Sequence, residues 1–135
     1  MYGASKVLIS TINILILNGF QVHLILPNNG PLNHNKVIKK VKLNIVNLGV
    51  FRKKYFNIIG LINRSFYILK SIFFIKRYIK KNKIDLIFIN TTTVISPCLS
   101  SFLSKTPSIY HIHEMPNTSN LYIKFLVKII NNFNN

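Results

Sequence analysis

Two short polar segments in the second half of the chain carry the side chains best suited to chemistry. The first is Asn90-Thr91-Thr92-Thr93, and the second is His111-Ile112-His113-Glu114. Amides, hydroxyls and carboxylates hydrogen-bond polar ligands, and an imidazole donates or accepts a proton near neutral pH. The chain has two acidic residues: Glu114 lies in the second segment, and Asp85 lies just before the first. Both segments are therefore candidates for a binding site.

Short apolar runs precede the polar segments and predict the elements that position them. Residues 84–89 and 108–112 are too short for helices, so each run is interpreted as a strand. Between them, Ser96-Pro97 opens a stretch, residues 98–103, that can form about two helical turns. This spacing predicts two parallel neighbouring strands joined by a helix. Ligands bind beyond the carboxyl ends of such strands, which is where both polar segments fall.

The rest of the chain alternates helical and strand patterns. Residues 1–6 lead into an apolar helical period that stops at Asn18-Gly19, with Gly19 as the expected C-cap. We predict strands at 20–26 and 43–48, a loop with a short helix at 31–42, and helices at 57–81 and 121–133. This alternation predicts parallel strands covered on both faces by helices. A membrane span over residues 7–26 is disfavoured, because Asn-Gly within it is a turn signal.

Composition excludes several classes of protein. The 135 residues form one domain at most, and a hydrophobic content of 49% excludes a disordered chain. The single cysteine, Cys98, excludes a disulfide framework and is expected to be a small buried hydrophobe. The net charge of +16 invites a nucleic-acid interpretation, but 15 lysines, 18 asparagines and 23 isoleucines are typical of an AT-rich genome. No groove-reading helix or aromatic stacking platform supports nucleic-acid binding.

Five motifs follow one another along almost the whole chain. They are Gly-Ala-Ser-Lys at 3–6, Asn-Gly-Phe-x-Val at 18–22, Leu-Pro-x-x-Gly-Pro-Leu at 26–32, Ile-Asp-Leu-Ile-x-x-Asn-Thr-Thr-Thr at 84–93 and His-Ile-His-Glu at 111–114. In this order they resemble the N-terminal Rossmann-like domain of GT-B glycosyltransferases. The resemblance is closest to the group 1 (family 4) retaining enzymes that build bacterial surface polysaccharides.

The resemblance implies a fold, a reaction and a set of partners. The fold is α/β, a Rossmann-like parallel sheet with helices on both faces, which forms the acceptor-side half of the enzyme. The reaction moves a sugar to a cell-surface glycan or lipid-linked acceptor without a metal. The donor is a nucleotide sugar, which is a substrate rather than a cofactor. The implied location is the cytoplasm at the inner face of the cell membrane, with peripheral contact with anionic lipid and no nucleic-acid partner.

Two departures from the family pattern predict a fragment, a split gene or a decayed gene. The family begins with a strand that lies mid-sheet beside the strand at residues 84–89, whereas this sequence starts inside the glycine-rich loop that follows that strand. The family's second lobe, which binds the nucleotide sugar, is not in the sequence either. A separately encoded C-terminal half is therefore an expected partner, and the chain by itself is expected to be inactive. The alternatives are an inactive remnant and a non-enzymatic binding domain.

The resemblance assigns roles to the histidine-glutamate segment. His113 is the expected catalytic residue, because the matching histidine faces the cleft near the transferred sugar. The plainer interpretation is a strand-end histidine bonded to backbone. Glu114 is expected to bond acceptor hydroxyls, or else to be a surface carboxylate or a cap of the last helix. A metal site at His111, His113 and Glu114 is a further alternative, but only His23 and His34 could complete it.

Other predicted contacts also have structural alternatives. Gly3 and Ala4 are expected to bring backbone N–H groups close to a substrate, or to form a simple turn. Asn90, Thr91 and Thr92 are expected to bind substrate, or to cap the following helix. The basic helix faces at 64–81 and 124–128 are expected either to lie on a membrane or to be solvated.

Overall fold

The computed structural model describes residues 3–50, 55, 57–91, 93–111 and 128. The chain is mixed α/β and divides into two compact units, Met1–Asn47 and Leu48–Asn135. Its described helices are α1 (Gly3–Leu17), α2 (Ile58–Asn82) and α3 (Ser96–Ser104). The described strands are β1 (His23–Leu26), β2 (Lys42–Ile45), β3 (Ile87–Ile89) and β4 (Ser108–Tyr110). Two 3-10 helices, Pro31–His34 and Ile38–Lys40, lie between β1 and β2.

α1 ends where the sequence predicts, because Gly19 adopts the left-handed conformation that terminates helices. Its φ is 81°, and its N–H donates to the carbonyl of Ile16 at 3.0 Å. The N–H of Phe20 donates to the carbonyl of Leu15, also at 3.0 Å. These two bonds form a Schellman motif, which satisfies carbonyls at the end of the helix. A helix, a turn and a strand therefore replace the continuous span that was considered for residues 7–26.

The first unit has its core between α1 and a parallel strand pair. β1 and β2 pair from His23↔Lys42 to Leu26↔Ile45. The buried side chains of this core are Ile12, Leu24, Leu26 and Ile38. β2 is shorter than predicted: its ladder ends where the N–H of Val46 donates to the carbonyl of Leu26 at 2.9 Å.

The second unit contains the predicted parallel strand-helix-strand arrangement. β3 and β4 pair from Ile87↔Ser108 to Ile89↔Tyr110, and α3 lies between them in sequence. α2 precedes them, and its N-cap is Asn57, whose side-chain oxygen accepts from the N–H of Gly60 at 2.6 Å. Pro97 lies in the first turn of α3, as its fixed φ favours.

Buried serines form the contact between α2 and α3. Ser71 of α2 and Ser96 and Ser100 of α3 have no measurable exposure. The hydroxyl of Ser100 donates to the carbonyl of Ser96 at 2.7 Å and lies 3.3 Å from the carbonyl of Ile72 in α2. Small side chains let helix backbones approach closely, and bonds to backbone carbonyls satisfy hydroxyls that would be costly to bury alone.

One part of the fold prediction differs from the described structure. The four strands form two separate two-stranded sheets rather than one sheet with helices on both faces. One face of the β3–β4 pair is open: Phe88 and Ile109, which are neighbours in register, are 38% and 49% exposed. Because each described strand has three or four residues and one partner, neither sheet is wide enough to carry helices on both faces. The predicted helix at 121–133 lies outside the described residues, apart from Lys128.

The approach of Gly49 to α2 gives a stability prediction. Gly49 is buried with φ of 64°, and a Cβ there would lie 2.6 Å from Cγ1 of Ile68 and 2.9 Å from the carbonyl oxygen of Arg64. We expect Gly49→Ala to lower the free energy of unfolding by about 3 kcal/mol, through backbone strain plus overpacking. Gly19→Ala is the matched control, since Gly19 also has a positive φ but nothing lies within 4 Å. It should cost only about 1 kcal/mol. Urea unfolding followed by circular dichroism measures both, and equal losses would contradict the close contact.

Candidate functional site

The carboxyl ends of β3 and β4 lie side by side and bring two predicted segments together. Ile89 pairs with Tyr110, and the N–H of His111 donates to the carbonyl of Ile89 at 2.8 Å. Asn90 and His111 therefore follow the last paired positions at the same edge of the sheet. The His111 ring meets the Phe88 ring edge to face, with centroids 5.9 Å apart. This is the edge at which parallel sheets bind ligands.

The described threonines of the first segment form a local turn. The hydroxyl oxygen of Thr91 accepts from the N–H of Thr93 at 3.2 Å and lies 3.0 Å from the hydroxyl of Thr93. The N-cap of α3 is Ile95, and no side chain caps the first turn of this helix. The alternative prediction, that these threonines cap α3, is therefore wrong for Thr91. The turn leaves Asn90 and Thr91 partly exposed at the end of β3.

Several predicted site residues are not brought together by the described structure. Gly3 and Ala4 are exposed in the first turn of α1, in the first unit, whereas Asn90 and Thr91 belong to the second. Thr92, His113 and Glu114 lie outside the described residues. No three His, Cys, Asp or Glu side chains among residues 3–50, 55, 57–91, 93–111 and 128 could hold a metal ion together.

A cleft in the first unit was not anticipated from the sequence. It has a volume of about 390 Å³ and is lined by Lys6, Ile9, Ser10, Asn13, Asn35 and Val37. Its lining combines one ammonium, one hydroxyl and two amides with the aliphatic side chains of Ile9 and Val37. Residues 6, 10 and 13 recur at helical spacing, which was a usable signal in the sequence. Asn35 Oδ1 accepts from the N–H of Val37 at 2.9 Å, a local turn that Asn favours. Such a turn does not indicate that Asn35 and Val37 lie near α1, so the sequence contained no signal for their part in the cleft.

Cys98 confirms the prediction of a small buried residue and has a polar neighbour. It is 1% exposed in α3 and hydrogen-bonds the phenol of Tyr110 in β4. Burial raises the pKa of the Cys98 thiol, and this hydrogen bond opposes that shift. Burial also raises the pKa of Tyr110, and Cys98 adds to the increase. Both groups therefore stay protonated in the folded protein well above neutral pH, and neither is activated as a nucleophile.

Comparison with known proteins gives no match: no protein-family model, no curated protein and no solved structure corresponds to this chain. The resemblance to glycosyltransferases consequently depends on the five sequence motifs alone.

The Cys98–Tyr110 pair predicts a loss of stability at alkaline pH. Because burial raises both pKa values in the folded state, the unfolded chain loses these protons first, from about pH 9 for the thiol and about pH 10 for the phenol. The contribution of the protonated Cys98 and Tyr110 to the free energy of unfolding is therefore fully present below those pH values. It is lost as the pH rises through them. Cys98→Ala and Tyr110→Phe should each flatten the fall in unfolding free energy between about pH 8 and pH 11 relative to wild type. Tyr67→Phe serves as a control in urea titrations across this range, and identical slopes for all four proteins would rule out the explanation.

Proposed function

We propose that this chain supplies the acceptor-side wall of a glycosyltransferase. In this proposal the sugar passes from a nucleotide sugar to a cell-surface glycan or lipid-linked acceptor. The chain would correspond to the N-terminal, Rossmann-like part of such an enzyme, and a second lobe would hold the donor. Two features of the described residues support this role in addition to the motif resemblance.

The split of the strands into two parallel pairs is the observation that carries the proposal. In the resembling enzymes, the first strand of the domain precedes the residues matched here. It lies mid-sheet, between the strands that correspond to β1 and β3. Without that first strand, such a sheet would be left as one pair of strands on each side of the missing strand. In this chain the corresponding pairs would be β1–β2 and β3–β4, and these are the strand pairs that the structure contains.

The polar residues at the ends of β3 and β4 support the same assignment. Asn90 and His111 lie at the carboxyl edge of a parallel pair, where α/β enzymes bind ligands. We assign substrate contacts to Asn90, Thr91 and Thr92, and to Glu114, which follows β4 after three intervening residues. His113 takes the role of hydrogen-bonding the transferred sugar near the reacting centre. An imidazole suits this role because it can both donate and accept hydrogen bonds near neutral pH.

The role of His113 is tested in a two-lobed enzyme that contains these residues. His113→Ala should lower the rate at saturating nucleotide sugar by about one to four orders of magnitude, the range for losing a positioned group near the reaction. His111→Ala should cost less, because the described His111 ring lies against Phe88. His34→Ala provides a control, since His34 is exposed in the first unit. If His113→Ala kept the wild-type rate, the role of His113 in binding the transferred sugar would be contradicted.

The 135 residues alone give a second test. We expect them to bind a lipid-linked saccharide weakly and to release no nucleotide from a panel of nucleotide sugars. The reason is that donor and acceptor must both be fixed before the benefit of their geometry is realised. Nuclear magnetic resonance titration measures acceptor binding, and a coupled assay measures nucleotide release. Sugar transfer by these residues alone would show that no second lobe is needed and would overturn the proposal.

A further inference from the structure

The outward face of α2 is a continuous apolar stripe. Its residues recur at alternating spacings of three and four, and most of each side chain is exposed, from 58% for Leu69 to 81% for Ile59. The stripe consists of Ile59, Ile62, Phe66, Leu69 and Phe73. The inward face of the same helix is different, because Ser71, Ile72, Ile75 and Ile79 are buried. Two aromatic and three aliphatic side chains in one exposed row are more than scattered surface residues and indicate an interaction surface.

The same face continues as a basic surface towards the end of the helix. Lys76 and Lys80 extend the three-four spacing beyond Phe73, and Arg77 lies beside them. All three are exposed, as are Lys70 and Lys81. Asp85 is the only acidic residue among those that the structure describes. The face is thus apolar along its first two-thirds and positively charged along its last third.

We propose that this face of α2 docks onto the surface of an anionic lipid bilayer. The apolar stripe enters the boundary between headgroups and acyl chains, and Lys76, Arg77 and Lys80 contact the negative headgroups. Interfacial helices bind in this way, by buried apolar area together with attraction to anionic lipid. The inference rests on the exposure and charge of α2 and is independent of any sugar transfer.

A surface position fits α2 better than a membrane-spanning one. By length and composition alone the helix could cross a membrane. Its apolar stretch, residues 58–73, is however only about 24 Å long, against about 30 Å for the hydrocarbon core. The inward face is held by the serine contact with α3, which spanning would break. Arg64 does not interrupt the stripe, since its guanidinium lies over the ring of Tyr55 at 4.2 Å from the centroid.

Charge favours lipid over a second copy of the chain as the partner of this face. The net charge of +16 makes two copies repel each other, while it attracts an anionic surface. A parallel pairing of two α2 helices would also place Lys76 and Lys80 against their own counterparts. Antiparallel pairing avoids that repulsion, so the experiment must distinguish it.

The absence of tryptophan from the sequence allows a direct measurement. Phe66→Trp places one reporter in the stripe, and Phe102→Trp places a matched reporter on α3, where Phe102 is 53% exposed. The probe is a vesicle of phosphatidylcholine and phosphatidylglycerol in equal parts, compared with phosphatidylcholine alone. For the Phe66→Trp variant we expect a blue shift of the indole emission and quenching by brominated acyl chains, only with the anionic vesicles. The Phe102→Trp variant should show neither change.

Two further variants test the apolar and basic contributions separately. Phe66→Ser with Phe73→Ser should weaken vesicle binding by at least about tenfold, as expected for removing two buried aromatic anchors. Lys76→Gln with Lys80→Gln should weaken it several-fold, while the exposed pair Lys39→Gln and Lys40→Gln should change it less. Circular dichroism verifies that each variant keeps its helix content.

Three results would overturn the inference. The first is equal quenching of the two tryptophan reporters, and the second is equal effects of the two lysine pairs. The third is a dimer, found by analytical ultracentrifugation without lipid, that Phe66→Ser with Phe73→Ser abolishes; this would assign the stripe to a second copy instead.

Discussion

The close contact between α2 and α3 is the constraint on which the second unit depends. Ser71, Ser96 and Ser100 are buried, and larger side chains at these positions would separate the two helices. The contact also holds the chain that enters the unit, because the hydroxyl of Ser96 lies 3.4 Å from the carbonyl oxygen of Leu48. Gly49, the next residue, lies against α2 with no room for a side chain. α3 also connects β3 to β4, the two strands that Asn90 and His111 follow.

This contact also explains why the two faces of α2 differ so strongly. α3 packs against α2, whose inward residues Ile72, Ile75 and Ile79 are buried, and this packing gives the unit a core. This packing does not bury the outward residues of α2, although their side chains are as hydrophobic as the inward isoleucines. An exposed apolar row is destabilising in water unless another surface covers it, so such a row is expected only where a partner is available. In the membrane-docking proposal, the basic end of the helix complements the negative charge of the lipid surface.

The sequence allowed the elements to be predicted better than their assembly. Local signals determine the ends of the helices: the glycine at 19, the asparagine at 57 and the proline at 97 each act through the backbone of a few residues. The strands were placed correctly but too long, because apolar runs also mark residues such as Leu48 that are buried outside a strand. The division into two sheets could not be predicted, since it depends on which strand edges meet and not on any one segment. The exposure of the α2 stripe was missed for the same reason, because helical spacing does not distinguish an outward apolar face from an inward one.

The separate strand pairs are the central structural claim, and amide hydrogen exchange tests it most directly. In β3 the N–H of Ile87 donates to the carbonyl of Pro107, so Ile87 and Ile89 face β4 while the amide of Phe88 points to the other edge. In β1 the carbonyl of Leu26 accepts from the N–H of Val46, so the amide of Ile25 likewise points away from β2. The account predicts slow exchange at Leu26, Val46, Ile89 and His111, and exchange at least about tenfold faster at Ile25 and Phe88. If Ile25 and Phe88 were as protected as their neighbours, both outer edges would be paired, and the chain would contain a wider sheet than the two pairs described.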